Sequence, residues 1–464
     1  MRRELLLFAI VGASGTVANT LVLWLLHSGA GMHYLLAAVI ATEVAIIHNF
    51  IANDLVTFAR RRAGASTLAR FARYQVVSLG TAAGTIGLLW ILTHLGGIRL
   101  LLLWNAMAIG TMFIVNFVLN RLVTWRRPTA APPRAAGAVS ATTGSGERDW
   151  RHALLLVAAT TVVRLIVAAR VPLVPDEAYY WTWSRWLEPG YLDHPPGIAV
   201  AIRLGTLFLG ATTLGVRILP VLLGALMTVA IAALARRLAG GPAALAAAAI
   251  GAVVPLASAG LLLATPDAPL LAAWACALYA VVRALSADAT PRAEWGWWAA
   301  AGVATGAAAL SKYTAVLLPV GVVLALASRA DLRPALRRPG PYAAVAIATV
   351  VFAPVLLWNA RHHWVSFAFQ LQHGLAPRPG HLLATALRFE SELLGGQLGL
   401  VSPVLFVLVV VAVWRALRSG APPLRRLVAV SSTFAMAIFV GSALRGRVEA
   451  NWPAPAYVGA LALV

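Results

Sequence analysis

The side chains best suited to acid–base chemistry stand in one segment, VPDEAYYWTWSRWLEPGYLDHPP, which runs from residue 174 to residue 196. A carboxylate at a membrane interface is less well solvated than in bulk water, so it can serve as a general base. We predict that Asp176 is this base and that its neighbour Glu177 and the second carboxylate, Asp193, orient the base or the acceptor. With the imidazole of His194, the predicted catalytic set is Asp176, Glu177, Asp193 and His194.

Each of these features also has a structural interpretation. Asp193 can cap a helix that begins after the two prolines, and the aromatic residues between Tyr179 and Trp186 can form an interfacial belt. Flat rings also stack on sugars, so one or two of them can line a site. The pairing of DE with DHPP, seventeen residues apart in one loop, is more specific than either motif alone.

Basic residues on the same predicted side of the membrane suggest a phosphate ester as ligand. They are Arg217, Lys312, Arg361, Arg378, Arg388, Arg445 and Arg447. Lys312 is the single lysine among 37 basic residues, which suggests a need for a compact ammonium, although snorkelling to the interface is the alternative. We predict that Lys312, Arg217 and Arg445 bind the donor phosphate.

Motifs for other chemistries are absent from the sequence. It has one cysteine and no Walker loop, dinucleotide fingerprint or hydrolase nucleophile motif. The first loop has no Asp-x-Asp motif, so no obligatory metal cofactor is expected, although Asp176 and Glu177 could bind a divalent cation.

Composition places these residues in a membrane protein. The 464 residues are 60% hydrophobic and 11% charged, with a mean hydropathy of +0.81, whereas soluble domains carry about 25% charged residues. Apolar runs of about 20 residues predict an all-α polytopic membrane protein. The net charge of +21 falls in short loops, where it sets topology, so we expect a lipid bilayer and no nucleic acid as partner.

Four apolar runs come first, at about 5–27, 35–57, 74–95 and 100–123. Arginines before, between and after them place both ends of this block in the cytoplasm, in a multi-pass protein of the plasma membrane. Residues 128–149 have no apolar periodicity and predict a flexible cytoplasmic linker. The resulting domains are 1–127, the linker 128–149, and 150–464.

The first block contains an internal repeat. NFIANDLVTFARR, from Asn49, matches NFVLNRLVTWRR, from Asn116, at an offset of 67 residues. The repeat places Asn49 with Asn53, and Asn116 with Asn120, on one face of a helix. These amides either join helices or handle a polar headgroup, and Glu43 inside the second run is the stronger functional signal.

The second domain has runs at about 152–171, 214–235, 243–264, 268–285, 295–311, 313–328, 342–358, 389–413 and 427–444. The piece at 197–209 is too short to span a membrane and predicts an interfacial helix, which places the DEAYYW loop outside the cell. A last run begins near Trp452 and reaches Val464, too short for a span, so we expect the sequence to be a fragment.

Residues 1 to about 127 resemble the GtrA-like family of four-helix membrane proteins, through NF-x-x-N…T-[FW] at the ends of the second and fourth helices. That resemblance implies a part in moving polyprenyl-phosphate-linked sugars across the membrane.

Residues 150–464 are similar to the ArnT-like and protein O-mannosyltransferase-like family of C-type (GT-C) glycosyltransferases. The similarity rests on RLIVAARVPLVPDEAYYW, YLDHPP, TPDAPLL, ALSKYTAVLLP, WNARHHWVSFAFQLQHG and EANWPAPAY. It implies transfer of a sugar from a polyprenyl-phosphate carrier to an extracytoplasmic glycan, lipid or protein acceptor. It also implies that Asp176 is the first-loop catalytic acid of the family, with Glu177 as its neighbour, and that Asp193 with His194 is the second acidic motif.

The combined prediction is a GtrA-like four-helix bundle that delivers or flips the donor, followed by a GT-C transferase domain. The alternative is a transporter of lipid-linked sugar without transferase activity, or a binding protein. A transporter should line its spans with polar residues, whereas the acids of this sequence concentrate in predicted outer loops.

Overall fold

A computed structural model describes residues 2–29, 34–61, 66–96, 101–125, 139–258, 260–375 and 382–464. Regular structure in these ranges is helical, and no strand occurs within them. Nine of the described helices are long and apolar enough to cross a membrane. The chain is therefore an all-α, multi-pass membrane protein.

The chain forms two compact units. The first unit contains residues 1–140 and 397–407, and the second contains residues 141–396 and 408–464.

The first unit confirms the four predicted apolar helices. They are α1 (Arg2–Trp24), α2 (Tyr34–Ala52), α3 (Thr67–Gly96) and α4 (Leu101–Leu119). The third helix begins seven residues before its apolar run. Arg70 lies in its first turn and is buried there because it pairs with Asp54. Polar residues in a first turn can remain helical when a neighbouring element supplies their partners.

The internal repeat is also structural. In both copies the helix ends in a π-helical turn, Asn53–Thr57 and Asn120–Thr124, whose first residue accepts a backbone hydrogen bond from an aromatic residue. The two aromatic residues, Phe58 and Trp125, stack with ring centroids 4.4 Å apart. The two copies therefore meet at equivalent positions.

Among the described residues, the second unit contains twelve complete helices and the larger part of three others. They are α5 (Val139–Arg170, shared with the first unit), α6 (Pro175–Arg185), α7 (Gly197–Leu209), α8 (Thr213–Ala239), α9 (Gly241–Val253), α10 (Pro255–Ser258), α11 (Asp267–Ala284), α12 (Pro291–Ala309), α13 (Leu317–Ala327), α14 (Pro339–Arg361), α15 (Val365–Leu375), α16 (Leu382–Val401, shared with the first unit), α17 (Pro403–Leu417, shared with the first unit), α18 (Pro423–Ala443) and α19 (Ala454–Leu461). The short helix predicted at 197–209 is confirmed as α7.

Small residues let helices of this unit approach closely. A Cβ added to Gly302 of α12 would lie 2.6 Å from the carbonyl oxygen of Ala344 in α14, and one on Gly306 would lie 2.5 Å from Val351 Cβ. Such contacts are typical of membrane helices, which gain little from hydrophobic burial and associate through close packing.

Three sequence predictions of this region are wrong in part. The helix of the run at 243–264 ends at Val253, because Pro255 cannot continue the hydrogen-bond ladder, and a separate short helix follows over Pro255–Ser258. The run at 389–413 is interrupted at Ser402, which has a φ of 75° and precedes Pro403. The predicted linker is helical from Val139, where Glu147 pairs with Arg236 of α8, while residues 128–138 lie outside the described ranges.

Candidate active site

A cavity of about 990 Å³ lies among α12, α13, α14, α15 and α18 of the second unit. Its lining on α14 extends from Pro341 to Leu356, which is about 22 Å at 1.5 Å per residue. The walls are mainly aliphatic and aromatic, whereas Asp193, His194 and Lys312 contribute to one end. The cavity can therefore hold a long apolar chain with a polar head.

Glu177 is held at the third position of α6. Its Oε2 atom accepts a hydrogen bond from the backbone N–H of Val174, 3.0 Å away, just before the helix. Its Oε1 atom accepts another from the backbone N–H of Ala264, at 2.9 Å. One carboxylate thus fixes the start of α6 to the loop that precedes α11.

Arg217 of α8 completes this anchor cluster, which we define as Glu177, Arg217 and the backbone groups bound to them. Its Nε and Nη2 atoms donate to the two carboxylate oxygens of Glu177 at 2.7 and 2.5 Å. Its remaining donors reach the carbonyl oxygens of Ala168, Val171 and Pro172. Both charged side chains are 0% exposed.

The anchor cluster bears on the roles predicted for Arg217 and Glu177. All five N–H groups of Arg217 have protein acceptors, so none remains for a donor phosphate. Glu177 has both oxygens engaged and does not reach solvent or the cavity lining. The pair therefore positions the site and does not touch substrate. Both charges are buried, so each needs the other as its partner.

The pKa of Glu177 reflects these contacts. Burial by itself would raise it, but the hydrogen bonds from Arg217, Ala264 and Val174 together outweigh burial and hold the pKa below its ordinary value. Glu177 is therefore ionised at neutral pH, and because protein donors already occupy both of its oxygens it is a poor proton acceptor for substrate.

A second ion pair lies at the polar end of the cavity. The Nζ atom of Lys312 is 2.8 Å from Asp267 Oδ1, and Asn451 donates through Nδ2 to Asp267 Oδ2 at 2.6 Å. We call Lys312, Asp267 and Asn451 the cavity cluster. Lys312 lines the cavity and has three N–H donors, so it can bind an anion there while it contacts Asp267.

Close backbone packing joins the DHPP motif to the turn that carries Lys312. Gly197 donates its N–H to the carbonyl oxygen of Leu310 at 2.7 Å. A Cβ on Gly197 would lie 2.8 Å from both that oxygen and Ser311 Oγ. Glycine at the start of α7 therefore lets Asp193 and His194 approach the same end of the cavity as Lys312.

Asp193 has defined partners at this end. Its Oδ2 atom accepts a hydrogen bond from the Tyr179 hydroxyl at 2.7 Å, and its carbonyl oxygen accepts one from Gln370 of α15 at 2.5 Å. Burial, followed by the contact with Asp193, raises the pKa of Tyr179 to about 12. Tyr179 therefore remains a hydrogen-bond donor at neutral pH.

Asp176 is exposed in the first turn of α6 and lies outside the cavity lining. Tyr180, four residues further along the same helix, does line the cavity. Burial, then the negative charges of Asp176, Asp267 and Asp193, raises the pKa of Tyr180. The negative charges of three carboxylates from separate segments therefore act on one phenol that lines the cavity.

The other predicted residues lie elsewhere. Arg445 is exposed after α18 and is not among the cavity residues. In the first unit, Gln75 donates to both oxygens of the buried Glu43 at 2.9 Å. Asn120 donates to Asn116 Oδ1 at 2.6 Å.

Sequence reasoning gave no individual role to Asp267 or Asn451, and it included Tyr180 only among the aromatic residues of which one or two can line a site. Asp267 has a detectable signal, because it is an acid that follows proline at the start of an apolar run. Asn451 lies 184 residues from its partner, and the sequence contains no indication of that pairing. Within the described ranges, no three His, Cys, Asp or Glu side chains are grouped so that they could hold a metal ion.

Two family models match the sequence. The GtrA/DPMS transmembrane domain matches residues 7–125. The dolichyl-phosphate-mannose-protein mannosyltransferase model matches residues 193–358, which include Asp193, Asp267 and Lys312.

Curated relatives match different shares of the chain. Lipid A galacturonosyltransferase RgtD of Rhizobium johnstonii is 27% identical over 323 residues, 66% of this chain and 63% of RgtD. A dolichol-phosphate mannosyltransferase of Pyrococcus furiosus is 37% identical over 118 residues, 25% of this chain and 32% of that protein. The chain thus spans less than two thirds of the length of each.

Among solved structures, ArnT from Cupriavidus metallidurans bound to undecaprenyl phosphate matches with a TM-score of 0.55 and 21% identity, over 67% of this chain and 58% of ArnT. Its apo state matches with a TM-score of 0.54 and 22% identity, over 70% and 59%. These values show a shared fold.

Proposed function

Because the chain joins a GtrA-like domain to an ArnT-like domain of the GT-C fold, we propose that it is a membrane glycosyltransferase with a polyprenyl-phosphate sugar donor. The observation that carries this proposal is the cavity of about 990 Å³, apolar over most of its lining and charged at one end. A polyprenyl chain suits its walls, and a sugar phosphate suits its polar end.

The reaction follows from the residues at that end. An acceptor hydroxyl oxygen forms a bond to the anomeric carbon while the bond from that carbon to the phosphate oxygen breaks, and Asp176 takes the hydroxyl proton. Lys312 holds the phosphate, whose negative charge increases as it leaves. Asp193, oriented by Tyr179 and Gln370, accepts hydrogen bonds from the acceptor or the sugar.

We place this chemistry on the extracytoplasmic side of the plasma membrane. Asp193, Asp267, Lys312 and Asn451 share one end of the second unit. The ion pairs of Arg236 and Arg237 lie at the C-terminal end of α8, and Asp288, the partner of Arg237, follows the end of α11 opposite to Asp267. Arginine-rich loops favour the cytoplasm.

A lipid of the lipid A type is the first acceptor to test, because RgtD acts on lipid A by its name. We further propose that the first unit delivers the donor or flips it across the membrane, and that transfer needs no obligatory metal. Sugar release should then persist in EDTA.

Purified chain in detergent tests the transferase directly, because transport has no meaning without a sealed membrane. Undecaprenyl-phosphate hexose and lipid A are incubated with the chain, and mass spectrometry measures hexosylated product. Product that depends on Asp176 supports the enzyme. Donor binding without product across neutral and acidic sugars and across lipid, glycan and protein acceptors would contradict it and favour a transporter.

A further inference from the structure

The two repeats of the first unit differ at three equivalent polar side chains. Asn49, Asn53 and Thr57 in the first copy correspond to Asn116, Asn120 and Thr124 in the second, at the offset of 67 residues. Both sets lie where an α-helix passes into a π-helical turn, and such turns often mark functional sites.

In the second copy these side chains satisfy one another. Thr124 donates through Oγ1 to Asn120 Oδ1 at 2.7 Å, and Asn120 donates through Nδ2 to Asn116 Oδ1 at 2.6 Å. Asn120 and Thr124 are buried. This copy is a closed hydrogen-bond chain.

In the first copy the corresponding oxygens have no partner. Asn49 Oδ1, Asn53 Oδ1 and Thr57 Oγ1 are buried atoms without a hydrogen bond, and Asn53 and Thr57 are 1% and 7% exposed. Leaving a buried polar group unpaired costs about 1–3 kcal/mol. Three such oxygens in one repeat, whose counterparts in the other repeat are paired, therefore mark a place where a ligand can supply the missing donors.

Gly15 of α1 explains why the first copy stays open. A Cβ built on Gly15 would lie 2.1 Å from Asn49 Oδ1 and 2.4 Å from Asn49 Nδ2. The Asn49 amide therefore occupies the space that glycine leaves on α1, and it does not pair with Asn53 as Asn116 pairs with Asn120.

The chemistry of these atoms selects the ligand. The amide oxygens of Asn49 and Asn53 only accept hydrogen bonds, and an ionised phosphate brings only acceptors, so it cannot satisfy them, whereas the Thr57 hydroxyl can donate as well as accept. Sugar hydroxyls bring donors. Resting on the proposed polyprenyl-phosphate donor, we infer that Asn49, Asn53 and Thr57 of the first repeat bind the sugar hydroxyls of that lipid, whereas the second repeat is closed.

Native mass spectrometry of the full chain in detergent tests this inference with undecaprenyl-phosphate hexose as the probe. The wild-type chain should bind two sugar lipids, one in each unit. Asn53→Leu and Thr57→Val should each bind one, and Asn120→Leu, the matched control from the closed repeat, should bind two. Undecaprenyl phosphate without the sugar should not occupy the first unit.

Gly15→Ala provides an independent variant that leaves the three oxygens in place. Its Cβ should displace the Asn49 amide toward Asn53, close the site and reduce the bound sugar lipids from two to one. Two lipids bound to Asn53→Leu, Thr57→Val and Gly15→Ala would overturn the inference.

The outcomes separate this inference from the proposed function. One sugar lipid on the wild-type chain, lost in Lys312→Ala but retained in Asn53→Leu, would overturn the inference and leave the transferase intact. No sugar lipid on any variant would contradict the proposed function itself. Unfolding temperature gives a further readout: Asn120→Leu should lower it, because Asn116 and Thr124 lose their partner, whereas Thr57→Val should not, because Thr57 Oγ1 has no hydrogen bond to lose. Equal losses in both would also overturn the inference.

Discussion

The anchor cluster and the cavity cluster contain the same kind of ion pair, but they differ in whether the cation is available to a ligand. Each pairs a carboxylate with a cation from another element, Glu177 with Arg217 of α8 and Asp267 with Lys312 of the turn after α12. In the anchor cluster every arginine N–H has a protein acceptor. In the cavity cluster the lysine faces a space that can receive a ligand.

The contrast is sharpest between Asp176 and Glu177, which are adjacent in the chain. Glu177 is completely buried, whereas Asp176 is exposed beside Tyr180. An acid whose oxygens already accept hydrogen bonds from the protein contributes to stability, whereas an acid that remains accessible can exchange protons with substrate. Substitutions at the two positions should therefore separate activity from stability.

The largest effect is expected for Asp176→Asn. Asparagine keeps the size of the side chain but cannot accept a proton at neutral pH, so kcat for sugar transfer should fall about 100-fold to 10,000-fold. Donor binding and unfolding temperature should change little. Near-normal turnover of the folded variant would remove Asp176 as the base and direct attention to Asp193 or Asp267.

Arg217→Met should have the next largest effect, on stability. Removing one partner of a buried ion pair costs about 3–5 kcal/mol, so the unfolding temperature in detergent should fall sharply. Glu177→Met combined with Arg217→Met should recover part of the loss. An Arg217→Met chain as stable as wild type would show that the anchor cluster does not hold the fold.

The anchor cluster also predicts a pH dependence of stability. The pKa of Glu177 in the folded chain lies below its ordinary value of 4.5, so its contribution is complete above that pH and is lost as pH falls through the lowered folded pKa. Thermal scans from pH 7 to pH 3 should show a smaller acid-dependent loss in Glu177→Gln than in wild type. Parallel curves would contradict the assigned pairing.

Lys312→Ala should chiefly weaken donor binding. Hydrogen bonds to charged groups contribute about 1.5–3 kcal/mol, so Kd for undecaprenyl-phosphate hexose should rise about tenfold to a hundredfold. Lys312→Arg should rescue poorly if the site needs a compact ammonium. Arg388→Ala, at an exposed arginine outside the cavity lining, is the control. A change in kcat with an unaltered Kd would assign Lys312 to the chemical step instead.

Ala348→Phe should obstruct the apolar part of the cavity. The wall there is expected to contact the polyprenyl chain, and each buried CH₂ contributes about 0.8 kcal/mol. Loss of the contacts of two CH₂ groups should therefore raise KM for the lipid donor about tenfold. Val350→Phe is the matched control, because Val350 is on the same helix, 72% exposed and outside the lining. Equal KM values for both variants would place the lipid elsewhere.

Tyr179→Phe should give the smallest effect. It removes the hydrogen bond from the phenol to Asp193, and an ordinary hydrogen bond contributes about 0.5–1.5 kcal/mol. Transfer should therefore fall about threefold to tenfold, as measured by initial rates, without loss of stability. A loss as large as that of Asp176→Asn would give Tyr179 a part in the proton transfer.

The sequence determined much of this protein by itself. Apolar length alone predicted membrane helices, because an unpaired backbone group in hydrocarbon is costly. The repeated NF-x-x-N motif predicted two equivalent hairpins, and the structure confirms them with a π-helical turn in each copy. The DHPP and SKYT segments supplied Asp193, His194 and Lys312 at the polar end of the cavity, and the helix that contains DE supplied Tyr180.

The tertiary structure alone decided what each of those residues does. Glu177 and Asp176 have the same charge in the sequence, and only Arg217, 40 residues away, makes Glu177 unavailable. Asp267 is held in position by hydrogen bonds from Lys312, 45 residues away, and from Asn451, 184 residues away. The role of a charged side chain depends on its burial and on its partners, and both are set by contacts between helices that are distant in the chain.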